Sequence, residues 1–194
     1  LDSTTSGFTF SNNDLSAVTP NGNGHVQSNL ELPSSGKFYW EAEFTSFGGG
    51  GVVGIMGTNG TSSQNVGQAS DGYGYWSGNP DDEFDLAEKQ TNGSGVDWGD
   101  RWGAGDIIGV AWDADAGAIW FSVNGNWQGG ATAAEITAGN TSNAAYSGLT
   151  GTFYAAFSDG KSSASSAFDV KFGQTVFSYT PPDGTESLSE KGDD

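Results

Sequence analysis

Apolar and polar side chains alternate most clearly between residues 37 and 45. Phe38, Trp40, Ala42 and Phe44 fall on one side, and Lys37, Tyr39, Glu41, Glu43 and Thr45 on the other. Successive side chains of an extended backbone point to opposite faces, so this period of two predicts a strand with one buried and one wet side. A looser version at 25–32 places Val26, Ser28, Leu30 and Leu32 together. Shorter strands are expected at 52–57, 73–76, 106–113, 118–123, 152–157, 167–172 and 176–179, punctuated by turn-forming residues. Asn124-Gly125 is a hairpin signal, because both residues tolerate positive φ. Long polar connections are expected at 59–71, 78–105 and 130–150. Many short strands without helices predict an all-β fold: an antiparallel two-sheet β-sandwich of the jelly-roll kind. After Pro181-Pro182 the pattern stops, so 1–184 reads as one domain and 185–194 as a tail or linker.

Composition supports a folded β protein. The 32 glycines would suit a flexible chain, and Gly costs about 1 kcal/mol per helix position relative to Ala. The 7 Trp, 12 Phe and 6 Tyr contradict flexibility, since such rings need a core to bury them.

Charge narrows the partners. With 24 acidic residues against 6 basic ones, the formal net charge is -18. Phosphate backbones are bound by Lys and Arg, so no nucleic acid is expected as a partner. Surplus carboxylates also suit solubility in saline surroundings. The chain holds no cysteine, which removes disulfides, thiol catalysis and thiolate metal sites. No apolar run approaches 18 residues and no basic-plus-apolar leader is present, so no membrane insertion is expected. Starting at Leu1 rather than Met, the chain is expected to be a processed or excised piece of a longer polypeptide.

Three segments then form a series. Residues 101–125, RWGAGDIIGVAWDADAGAIWFSVNG, resemble the SPRY pattern of a Gly-Asp-x-Ile-Gly strand, an acidic turn and a strand ending in Asn-Gly. GKFYWE at 36–41 resembles that family's "GKxYxE" strand, and FGQTVFSYTPPDG at 172–184 is similar to the closing segment of SPRY modules in bacteriophage structural proteins. The resemblance covers about 35–184 in the right order. It implies a concanavalin-like sandwich that binds proteins or glycans through loops at one end, with no common catalytic residues and no cofactor. Asp106, directly after Gly105, suits a strand start where its carboxylate accepts backbone N–H groups. Gly109 within a strand implies close approach by a large neighbour or a bulge.

Several constellations were weighed for chemistry. Asp113-Ala-Asp-Ala-Gly117 starts like a calcium loop, but Ala118 and Asn124 stand where an EF-hand needs Gly and Glu, so a hairpin turn is expected. Glu41 and Glu43 share a strand face about 6.5–7 Å apart. Some concanavalin-like glucanases use a Glu-x-Asp-x-x-Glu strand, yet the acid position here is Ser46. His25, the single histidine, follows Gly22-Asn-Gly24 and reads as a loop residue, and no serine sits in a Gly-x-Ser-x-Gly elbow. Gly48–Gly51 lacks the Lys-Ser/Thr ending of a phosphate loop. Asn59, Asn92 and Asn140 begin glycosylation sequons, which matter only in a eukaryotic secretory setting.

The stretch 71–102 is richest, with Tyr73, Tyr75, Trp76, Phe84, Trp98 and Trp102 beside Asp81, Asp82, Glu83, Asp85, Asp97 and Asp100. Rings beside carboxylates equip a surface for sugars or for protein hot spots. The opposing expectation is that Tyr75 and Trp76 pack in the core while the acids solvate a loop. Tyr73, Asp82, Trp98 and Trp102 are the expected ligand contacts. No metal site is expected, with calcium held by the 81–85 acids as the alternative. The leading expectation is a non-catalytic binding module of a bacteriophage virion, a tail-fibre, adhesin or head-decoration domain. It would contact a cell-surface glycan or protein, and other virion subunits, in a virion or extracellular setting, with multivalency raising weak contacts by roughly 10²–10⁴. The rivals are a purely structural subunit-contact domain, which could form a homo-oligomer, and a glucanase-like glycoside hydrolase.

Overall fold

The computed structural model describes residues 1–61, 63–79, 86–160 and 165–191. Along the chain come β1 (Thr9–Ser11), β2 (Ser16–Val18), β3 (His25–Gln27), β4 (Lys37–Ser46), β5 (Gly51–Met56), β6 (Gly72–Trp76) and β7 (Glu88–Thr91). There follow β8 (Ser94–Asp97), β9 (Ile107–Asp113), β10 (Ala118–Val123), β11 (Asn126–Trp127), the single-turn helix α1 (Ala133–Thr137), β12 (Tyr154–Asp159), β13 (Ala167–Lys171) and β14 (Glu186–Ser187). They form the expected two-sheet β-sandwich. One sheet has the order β1-β2-β13-β4-β9-β10-β11, and the other β3-β12-β5-β6-β7-β8. Every ladder is antiparallel except that of β14, which runs parallel to β4 at Phe38 and Tyr39. Among the described residues no helix is long and apolar enough to cross a membrane.

The alternation in β4 sets the core. Phe38, Trp40, Ala42 and Phe44 are fully buried, and the register places the first three beside Trp112, Val110 and Ile108 of β9. Val53, Ile55, Tyr75 and Phe157 of the other sheet close the same cluster. Phe168 joins the layers, with Phe44 at 5.2 Å and Phe157 at 5.3 Å between ring centroids.

The supposedly wet side of β4 is covered. Tyr39 and Glu41 are both 1% exposed, because the segment expected as a strand at 176–179 crosses them. It makes no ladder. Its backbone donors go to a side chain: Ser178 and Tyr179 donate their N–H groups to the Glu41 carboxylate at 2.8 and 2.9 Å. Phe177 adds an edge-on ring contact with Tyr39 at 4.9 Å. Further along this face, Ile136 of α1 packs with Ala111, Ala118 and Trp120. On the other sheet, Val66 and Ala69 of the 59–71 connection cover Val52, Met56, Trp76 and Ala156.

Several elements lay outside the expected pattern. β1 and β2 are three-residue strands, too short for a period to register. The β7–β8 hairpin occupies part of the connection expected at 78–105; its strands carry a single large apolar side chain, Val96, and turn through Asn92-Gly93 at φ 51° and 71°. α1 is one turn held by a capping box between Thr132 and Glu135. The expected tail begins with β14, and Leu188 packs against the core.

Candidate functional site

Three aromatic residues of the 71–102 stretch, Tyr75, Trp98 and Trp102, meet inside the protein, while Trp76 packs with Val52 and Met56 on the other face of its sheet. Period two along β6 turns Tyr73 and Tyr75 inward together. The Tyr75 ring has Trp98 edge-on at 5.1 Å and Trp102 at 6.2 Å. Its hydroxyl donates to the Asp100 carbonyl, and burial pushes its pKa up. Trp102, 5% exposed, also meets Phe44 at 5.1 Å and Phe47 at 5.5 Å. The expectation of a ligand-facing ring at Trp102 is therefore corrected: hydrophobic burial takes the indole into the core. Trp98 is half-buried against Tyr75 and Phe121, and Gly129 leaves room for its ring. Tyr73 lies apart, between Tyr146 at 5.2 Å and Phe153 at 5.8 Å. Asp82, with the Asp81, Glu83 and Asp85 of the calcium alternative, lies outside the described residues. Among the described residues no cluster of three or more His, Asp or Glu is placed to hold a metal ion.

Asp106, Asp113 and Glu41 spend carboxylate oxygens on backbone N–H groups. Asp106 accepts from the Gly103 N–H at 2.8 Å and from the Asn124 amide at 2.7 Å. Asp113 caps its turn through the Ala116 N–H at 3.0 Å and pairs with Lys37. Gly109 is indeed approached closely, since a Cβ there would run into the Tyr39 and Ser122 hydroxyls. Glu43 stands opposite Asp169 of β13, and with Glu41 both line a shallow depression of about 330 Å³. Each Glu41 oxygen already accepts a backbone N–H, the Tyr39 hydroxyl adds a bond at 3.1 Å, and Lys171 lies 3.7 Å away. At the position a glucanase would give its acid, Ser46 accepts the Ala167 N–H at 3.0 Å. His25 is a strand residue rather than a loop one: it opens β3, buried, with Nδ1 bonded to the Gln64 carbonyl at 2.8 Å, and burial lowers its pKa.

A cleft of about 880 Å³ lies at the opposite end of the sandwich from Trp98 and Trp102, as the strand registers place it. Residues 28–34 and 149–153 form two of its walls, and the chain near 13–15, 172–174 and 188–189 completes it. Its floor is apolar, with Leu15, Leu32, Trp112, Phe153, Phe172 and Leu188. Asn13, Asn29, Ser34, Thr150 and Thr152 give the rim amide and hydroxyl groups. Among the described residues Asp14 and Glu31 are its charged side chains, and the Leu1 amino group donates to the Asp14 carbonyl at 3.0 Å.

Hydrogen bonds stiffen the 28–34 wall. The N–H groups of Ser28 and Leu32 donate to the carbonyls of Ala155 and Phe153 at 2.7 and 2.8 Å. The Tyr154 hydroxyl donates to Glu31 at 3.1 Å. Above this framework Leu30 stands 52% exposed. The cleft draws on seven separate stretches of chain, so no local motif marks it. The leucine pair at 30 and 32, on the apolar face of the expected strand, is a sequence signal for it. Of the expected contacts among the described residues, Tyr73 comes near, standing behind Phe153. Against known proteins, the chain matches no family model and no curated protein.

Proposed function

We propose that this chain is a non-catalytic recognition module of the SPRY type, carried on a bacteriophage particle, which grips a cell-surface glycan or protein with its end cleft. One observation carries the reading: a cleft of about 880 Å³ with an apolar floor, a polar rim and a hydrogen-bonded wall. Ligand sites of roughly 300–1,000 Å³ have this composition, and loops held by a rigid scaffold are where recognition residues concentrate. The residue series at 36–41, 101–125 and 172–184 supports the SPRY assignment, and its closing segment supports the virion setting. The carboxylates of Glu41 and Asp106, taken up by hydrogen bonds within the protein, support a reading that does not depend on them for chemistry.

The test is a binding screen of the chain against a glycan array, with and without calcium, and against a random-peptide library. Binders lost at least tenfold by Leu30→Lys support the proposal. Binders indifferent to that change, or no binders, would overturn it.

A further inference from the structure

Resting on the end cleft as the recognition site, we infer that its occupant is a protein segment: an apolar side chain flanked by Lys or Arg. Two independent features converge on this class.

The first is the shape of the apolar surface. Sugar sites offer flat ring faces to C–H groups. Here the Trp112 and Phe153 rings are each 4% exposed, and the partly buried Phe172 ring packs back onto the core, 6.3 Å from that of Phe157. The most exposed apolar group is instead the branched side chain of Leu30, 52% exposed, which lines the cleft with Leu15, Leu32, Leu149 and Leu188. Sugar hydroxyls set against these leucines would lose water without gaining partners, whereas an aliphatic or aromatic side chain loses nothing. The rim amides and hydroxyls then match the backbone of an extended peptide.

The second is charge. Among the described residues the cleft lining carries two carboxylates, Asp14 and Glu31, and no Lys, Arg or His side chain. The Leu1 amino group, which also lies there, is tied to the Asp14 carbonyl. The whole chain has a formal net charge of -18. An acidic segment would be repelled and a basic one drawn in, with faster association at low salt.

The test selects random dodecapeptides on the intact chain and maps the best binder by amide shifts in solution NMR. Selected sequences are expected to hold Leu, Ile, Met or Phe within about three residues of Lys or Arg, and to shift residues 28–34 and 149–153. Binding should weaken at least tenfold in Leu30→Lys. In Asp14→Asn/Glu31→Gln it should weaken about threefold to tenfold, with a shallower dependence on salt; asparagine tolerates the φ of 63° at Asp14, and glutamine still accepts from Tyr154. Enrichment of acidic or wholly polar peptides overturns the inference. So does an oligosaccharide that shifts the cleft residues when no peptide does, although the cleft then stands as the recognition site. Peptide shifts confined elsewhere overturn both.

Discussion

The Glu41 carboxylate accepts the backbone N–H of Tyr179 at 2.9 Å, across 138 residues of sequence. A carboxylate in an expected solvent-facing position thus anchors the closing segment. Charge-assisted bonds of this kind contribute about 1.5–3 kcal/mol, and orphaning the two amides adds a desolvation cost.

Replacing Glu41 with Gln should therefore lower stability by about 2–4 kcal/mol in urea unfolding. The Ser178 and Tyr179 amides should exchange with solvent much faster, while those of β9 slow or quicken only with global stability. Unchanged exchange at 178–179 would show that the strap is held by Phe177 and Tyr179 packing instead.

Gly54 is a steric necessity of the second sheet. A Cβ there would overlap the Tyr73 carbonyl oxygen of the neighbouring strand. Gly54→Ala should cost about 2 kcal/mol or more, whereas Gly103→Ala, with open space around it, should stay within about 0.5 kcal/mol. Thermal melts of the two variants side by side check this, and equal melting temperatures would refute it.

His25 makes stability depend on pH. Burial lowers its folded-state pKa, against the opposing Gln64 carbonyl and the Asp71 charge. The unfolded chain, titrating near about 6.5, then binds more protons than the folded one as pH falls. Stability from this group is present above that pH and declines below it. His25→Gln should flatten this part of the profile between about pH 7 and 5. A variant profile parallel to the wild type would rule out His25 as its source.

Trp102 separates core packing from recognition. Truncation to Ala should cost about 3–5 kcal/mol, as for other buried Trp residues. Its indole N–H is buried without a hydrogen-bond partner among the described residues, so Trp102→Phe should cost less than half as much. Binding at the end cleft should be unaffected in the folded Phe variant. A binding loss there would return Trp102 to the contact surface.

What the sequence determined by itself was the sandwich and its seam. Period-two apolar residues such as Phe38, Trp40 and Phe44 must bury one face whatever the neighbours, and Asn124-Gly125 must turn. Those constraints act within a few residues, so a string of letters carries them. Which carboxylates and rings remain in water is a property of the folded surface. Tyr39 and Glu41 on a polar face vanish under residues 177–179, Trp102 in an acidic stretch goes to the core, and Leu30 on an apolar face is left outside. The cleft exists only because seven separate stretches of chain are brought together. Tertiary structure decided these matters, because burial and concavity arise from contacts between segments that no local period records.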